Sequence, residues 1–288
     1  MSLIILFISG FFWGVFDLIR KLALEFLSLT QIIYIIFFSQ LIIFFLSLFL
    51  SKLIITSFYY IPFLISISFL NLISLYFFLK ALKISEISMS IPLLSYSPLF
   101  SLLFSKMLLG ESLSFIQYVG IVVIFFGSFI LYSESLKYKD LLVSPFSLIK
   151  NKGARLILVV TVIWSIVPVL DKKSFYYTDI YLHGFLQSLL GFILLSLLIR
   201  FRDKNKIYKT KSRRNNTILF LLIVVSFLAT VTQFMALKIN LVPILEVVKR
   251  ALGILLSLFF GYIFFKEKIN IQKIFSIIII ISGLSIIL

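Results

Sequence analysis

Long charge-free runs of apolar residues decide most of what this chain can become. Leu27–Ser51, Phe58–Leu79 and Thr217–Leu237 contain no Asp, Glu, Lys or Arg. About 20 apolar residues in an α-helix span the hydrocarbon core of a bilayer. Within that core, every backbone N–H and C=O must find its partner inside the protein. Ten segments read as such helices, at roughly 3–22, 30–51, 58–80, 86–108, 112–133, 155–172, 179–200, 216–238, 241–265 and 269–288. They are rich in Ile and Phe, which suit strands. Their length and lack of alternation nevertheless exclude barrel strands of about 10 residues. The expected class is an all-α integral membrane protein. The chain is 13% charged, whereas soluble domains are closer to about a quarter. Met1 to Phe16 lacks the basic start and small-residue cleavage site of a signal peptide, and reads as the beginning of a retained first helix.

The second half repeats the first. Trp13 precedes Lys21 by eight residues, as Trp164 precedes Lys172. Ala81-Leu82-Lys83 returns as Ala236-Leu237-Lys238, and Glu111 and Glu267 each stand sixteen residues before a glycine, Gly127 and Gly283. The repeats fall at 1–136 and 155–288, with 137–154 as a linker. Five helices per repeat is an odd number, so the second repeat enters the membrane upside down relative to the first. Inverted repeats of this kind mark many secondary transporters, whose sites lie between the halves.

Basic residues set the expected orientation. The loops on the side of the two termini hold 5 Lys or Arg, and the opposite side holds 20, eight of them in 200–216. The positive-inside rule therefore puts loop 200–216 in the cytoplasm and both termini outside, in a cell membrane such as a bacterial inner membrane. The same rule accounts for the net charge of +16 without nucleic acid. A nucleic-acid or lipid-headgroup patch is the other reading of the basic loop.

Several chemistries have no residues to support them. The chain has no cysteine and a single histidine, His183. That removes a disulfide framework and a thiol nucleophile, and leaves no metal centre or cofactor motif. HExxH, GxSxG, Walker and GxGxxG patterns are absent. An enzyme is not expected.

Taken together, the pattern resembles the drug/metabolite transporter superfamily, EamA type. The resemblance rests on Trp13-Gly14 with Lys21, Trp164 with Lys172, Gly110-Glu111 followed by Gln117, Gly120 and Gly127, and Lys266-Glu267 followed by Lys273 and Gly283. It implies ten helices in two inverted five-helix repeats, a central cavity, and alternating-access transport of small organic solutes. The family is usually drawn with cytoplasmic termini, opposite to the charge count here. Locally, Glu246-Val-Val-Lys249-Arg250 and Asp171-Lys172-Lys173 are similar to the basic clusters of sugar-phosphate translocators. That similarity implies phosphate contacts at Lys172, Lys173, Lys249 and Arg250.

The ninth segment is the most informative physically. Glu246, Lys249 and Arg250 lie well inside it, and each charge near a bilayer centre costs about 2.5–3.5 kcal/mol on insertion scales. Either Glu246 and Arg250 staple the helix at i,i+4, or Lys249 and Arg250 face a cavity and bind a carboxylate or phosphate with Glu246 orienting Arg250. Lys172 either snorkels to the interface or points inward as the partner of Lys21. Trp13 and Trp164 line the cavity or merely pack. Tyr96, like Gln40, Gln187, Gln233 and Asn240, is a hydrogen-bond candidate for substrate or a link between helices. Glu111 and Glu267 are expected to cap the fifth and tenth segments. Pro92, Pro98 and Pro168 are expected to kink their helices. The expected function is transport of a small, anionic metabolite, with a coupling proton or exchanged solute as further partner and membrane lipid as surroundings. The alternative is a flippase, or a subunit of one, for a lipid-linked substrate.

Overall fold

A computed structural model describes residues 3–50, 53–132, 152–200, 212–267 and 271–287. All regular structure among these residues is helical. The first half contains α1 (Leu3–Ala23), α2 (Leu29–Leu46, extended by a 3-10 turn Ser47–Leu50), α3 (Tyr60–Ile84), α4 (Ile87–Leu93), α5 (Ser97–Leu109) and α6 (Phe115–Tyr132). The second half contains α7 (Lys152–Ser174), α8 (Ile180–Arg200), α9 (Arg213–Ile239), α10 (Val242–Phe265) and α11 (Ile271–Ile287). Seven of these, α1, α2, α3, α7, α8, α9 and α10, are long and apolar enough to cross a membrane. Shorter apolar helices occupy Leu94–Leu109, Phe115–Gly127 and Ile271–Ile287.

Local chemistry explains several boundaries. Ser28 opens α2 with a capping box: its hydroxyl accepts from the Gln31 N–H at 3.3 Å, and the Gln31 side chain accepts from the Ser28 N–H at 2.9 Å. Gly110 ends α5 in the left-handed region at φ 70°, where a side chain is unfavourable. The expected fourth segment is two helices separated by a 3-10 turn at Leu94–Tyr96, and Pro98 sits in the first turn of the second piece. Pro168 lies inside α7, which continues to Ser174. Within helices, Ser and Thr hydroxyls bond back to carbonyls one turn earlier, as in Thr161 to Ile157 at 2.8 Å and Ser188 to Gly184 at 2.7 Å.

The polarity is that of a protein in lipid. Phe58, Phe49, Phe115 and Ile271 stand 80–88% exposed, while Asp17, Arg20, Asp171, Glu246, Lys249 and Arg250 are buried. Packing follows the duplication. α1 lies on α9 and α10, just as α7 lies on α3 and on α4–α5. α2 meets α8, and α6 meets α11, each helix beside its own counterpart from the other half. At the α6–α11 contact a Cβ added to Gly283 would sit 2.9 Å from the Gly120 carbonyl oxygen, so only glycine allows this approach. Gly10 similarly brings α1 against the backbone of Lys249 on α10. That contact carries Trp13 to the charged part of α10.

Candidate functional site

A cavity lies between the halves. α1 lines it with Trp13, Phe16 and Arg20, α2 with Ile36, Phe37 and Gln40, and α3 with Asn71 and Leu75. The second half contributes Trp164, Val167, Pro168 and Asp171 from α7, Gln187 and Ser188 from α8, Thr230, Gln233 and Phe234 from α9, and Lys249 and Arg250 from α10.

The charges on α10 are held by a network. Glu246 is fully buried. One of its oxygens accepts from Arg250 Nη2 at 3.0 Å and from the Ser97 hydroxyl at 3.0 Å. Arg250 Nε in turn donates to Ser97 Oγ at 2.9 Å. The other Glu246 oxygen pairs with Lys249, whose ammonium also donates to Gln233 Oε1 at 2.8 Å. Glu246 pairs with Arg250 at i,i+4, and Arg250 also lines the cavity. Ser97 comes from the start of α5, so the network also joins the two halves.

Two tryptophans sit among these cations. Trp13 and Trp164, equivalent positions in the repeats, have ring centroids 6.4 Å apart. Lys249 stands 5.3 Å from the Trp13 ring, and Arg250 5.7 Å from the Trp164 ring. Arg20 is 5.7 Å from both rings and closer to Phe16 and Phe78, at 4.2 and 4.4 Å. Such contacts attract a cation to the ring face where water is excluded. The Trp164 indole N–H donates to Ser74 Oγ at 2.8 Å. Trp13 Nε1 and Arg20 Nε have no hydrogen-bond partner among the described residues.

Of the sequence-predicted site residues, Trp13, Trp164, Lys249 and Arg250 line the cavity, and Glu246 stands directly behind the last two. Lys172 and Tyr96 do not line it. Lys172 donates to Glu111 at 2.6 Å and to the Asn240 carbonyl at 2.7 Å. Its charge is thereby matched at the end of α7. Tyr96 lies in the 3-10 turn, edge-on to Phe125 at 5.0 Å. Lys173 points to the Leu108 carbonyl and the Tyr176 ring.

Sequence reading missed three features. Arg20, ion-paired with Asp17, is a cavity residue although it stands in the charged cluster that closes the first expected segment, 3–22. Asp171 also lines the cavity and is bonded to His183 at 3.1 Å. Both follow a tryptophan by seven residues, two helical turns, which places each on the tryptophan's own face. That spacing was the available signal. The third feature is a crossed pair of caps. Glu111 accepts the Val242 N–H at 2.9 Å at the start of α10, and Glu267 accepts the Ile87 N–H at 3.1 Å at the start of α4. Each acid was expected to cap the helix following it, but it caps a helix of the other half instead. Beside these caps, Lys21 donates to the Leu82 and Ser85 carbonyls, both at 2.5 Å, as Lys172 does to Asn240.

An all-helical chain with lipid-type polarity and a charged internal cavity defines a multi-pass membrane protein. The sequence profile of the EamA-like transporter family matches residues 1–133 and 151–288. The chain therefore belongs to the EamA-like transporter family, within the drug/metabolite transporter superfamily. A solved crystal structure superposes with a TM-score of 0.72, covering 98% of this chain and 94% of that one at 15% identity, which establishes likeness of fold. No curated protein matches the chain.

Proposed function

We propose that the protein is a secondary transporter that carries a small organic metabolite bearing a carboxylate or phosphate across the cell membrane by alternating access. The observation that carries this reading is the set of donors around the two tryptophans. Arg20, Lys249 and Arg250 are all cations, and the Trp13 and Arg20 nitrogens left without partners are donors only. Such a wall asks for an acceptor-rich solute. Arg250, planar and five-fold donating, suits a carboxylate or phosphate, and Lys249 adds a point charge.

With it we propose an architecture of ten helices in two inverted repeats, 1–136 and 155–288, joined by 137–154. The main helix pairs recur when the halves are exchanged, α1 on α9 and α10 as α7 on α3 and α4–α5, which supports a two-fold relation. Arginine and lysine counts put loop 200–216 in the cytoplasm; residues 201–211 of it, and most of the linker, lie outside the described residues.

The test joins binding to transport. Purified protein is screened by thermal shift against phosphorylated sugars, carboxylates, amino acids and nucleosides, since a ligand of the folded state raises apparent stability. The expected hits are anions, and Lys249→Ala and Arg250→Ala each weaken them by about 2–5 kcal/mol. Arg250→Lys restores binding in part, because lysine lacks the bidentate fork. Wild-type transport by both folded alanine variants overturns the anionic reading.

A further inference from the structure

We propose that Asp171 and His183 form a proton-binding site on the wall of the transport cavity. Its role in coupling rests on the transport reading above; the proton site itself does not.

The geometry is a three-member relay across three helices. Tyr60 on α3 has its hydroxyl 3.0 Å from His183 Nδ1. His183 on α8 has Nε2 3.1 Å from Asp171 Oδ1 on α7. His183 is fully buried, and Phe175 and Phe234 close around its ring at 5.3 and 5.4 Å. Asp171 is the member that lines the cavity. With Asp171 ionised, Nε2–H donates to the carboxylate and Nδ1 accepts from the Tyr60 hydroxyl. One added proton on Nδ1 then donates to the Tyr60 oxygen, whose own hydrogen rotates away from the ring. Both bonds to the imidazole survive, so the site accepts the proton without leaving a ring nitrogen unmatched. The surrounding rings offer no competing polar partner.

The charges around this site make proton binding consequential. Across the cavity, Lys249 on α10 acts electrostatically on Asp171. α1 contributes the Asp17–Arg20 pair, α10 also contributes Glu246 and Arg250, and Asp179 precedes α8 and acts on Tyr60. On α7 itself, Lys172 is held by Glu111, and Lys173 lies at the exposed end. α2 and α9 face the cavity with uncharged groups, Gln40, Thr230 and Gln233 among them. At the cavity, Arg20, Lys249 and Arg250 therefore balance Asp17, Asp171 and Glu246, and formal charge is zero while His183 is neutral. A bound monoanion leaves one uncompensated negative charge among buried side chains, which is costly. A proton on the Asp171–His183 pair cancels it. Anion and proton thus favour each other's binding, and by linkage the effect is reciprocal. The repeat-equivalent position of Asp171 is Arg20, so this acid belongs to one half alone.

His183 is the only histidine in the chain, which permits a direct measurement. Full-length protein labelled with 15N,13C-histidine in lipid nanodiscs gives one imidazole signal, read by NMR against pH with no ligand present. The expected result is one protonation step of the imidazole within the pH range over which the protein stays folded. Asp171→Asn moves its midpoint by about 1–3 pH units. Lys249→Met, which keeps the side chain's length without its charge, also displaces the midpoint. A signal that does not move across that range overturns the proposal and makes the pair a structural link between α7 and α8. A wild-type midpoint in Lys249→Met also overturns it, because the pair would then be insulated from the cavity. Should Asp171→Asn fail to fold, the wild-type and Lys249→Met titrations decide alone. Since no anion is present, a flat titration leaves the anion-binding reading untouched, and failure of the ligand screen leaves the titration standing.

Discussion

Replacing Glu246 by Gln is the most searching perturbation of the cavity's charge balance. The side chain keeps its shape, so the change is one of charge. Glu246 is fully buried and is the counter-ion of both Lys249 and Arg250, which are each 5% exposed. Glutamine leaves two adjacent buried cations, and whichever way its amide is turned the NH2 group faces a donor that a carboxylate oxygen had satisfied. Removing one partner of a buried ion pair costs about 3–5 kcal/mol. At roughly 2–4 °C per kcal/mol for a chain somewhat smaller than this one, the apparent Tm falls by on the order of 10 °C. The assay is thermal unfolding in detergent followed by tryptophan fluorescence. Trp13 and Trp164 are the only tryptophans, and both stand at this site. Inorganic sulfate is expected to recover part of the loss, and to raise Tm more in Glu246→Gln than in wild type, because it supplies the missing negative charge. A fall of less than about 2 °C refutes the reasoning. Lys249 and Arg250 would then be solvated by the cavity and need no counter-ion.

Two further outcomes are accessible. Gly283→Ala places a Cβ against backbone atoms of α6, at 2.9 Å from both the Gly120 oxygen and the Ile124 nitrogen, and is expected to cost about 1–3 kcal/mol in thermal unfolding. Gly253→Ala, whose nearest neighbour would be an Ile91 methyl at 3.5 Å, is expected to cost nothing, and equal losses in the two would refute the packing argument. A cysteine at exposed Ser212, the residue preceding α9, is expected to resist an impermeant maleimide in intact cells and to react in inverted vesicles; the reverse pattern would turn the orientation over.

The helices were legible because lipid demands long apolar runs. Described helix lies within each expected segment, seven of the helices being long enough to cross a membrane, and the break in the fourth segment falls at Leu94–Tyr96, between the prolines at 92 and 98. The tryptophans and the α10 charges were legible as well, through duplication and through the expense of an intramembrane charge. Arg20 escaped notice because Asp17, Arg20 and Lys21 form a run, and a charged run reads as a helix end. The helix in fact continues to Ala23, and only Lys21 reaches the neighbouring loop carbonyls. Tyr60 stands 123 residues before His183, and Asp171 and His183, although 12 residues apart, belong to two different helices. No local pattern announces such a meeting. The acids Glu111 and Glu267 were found by their spacing, but spacing along one helix cannot reveal that the capped N–H belongs to another.

Those crossed caps bear on how the chain could have been assembled in evolution. Each half carries the carboxylate that completes a helix in the other, at Val242 and at Ile87. Neither half closes its own hydrogen bonds, so neither is a finished module. Losing Glu111 leaves a defect in residues encoded some 130 positions downstream, 131 by the chain's numbering. Selection on one half is thus felt by its sister. The two copies are free to diverge in what they present to the cavity, as Arg20 and Asp171 have, but not in how they fasten one another.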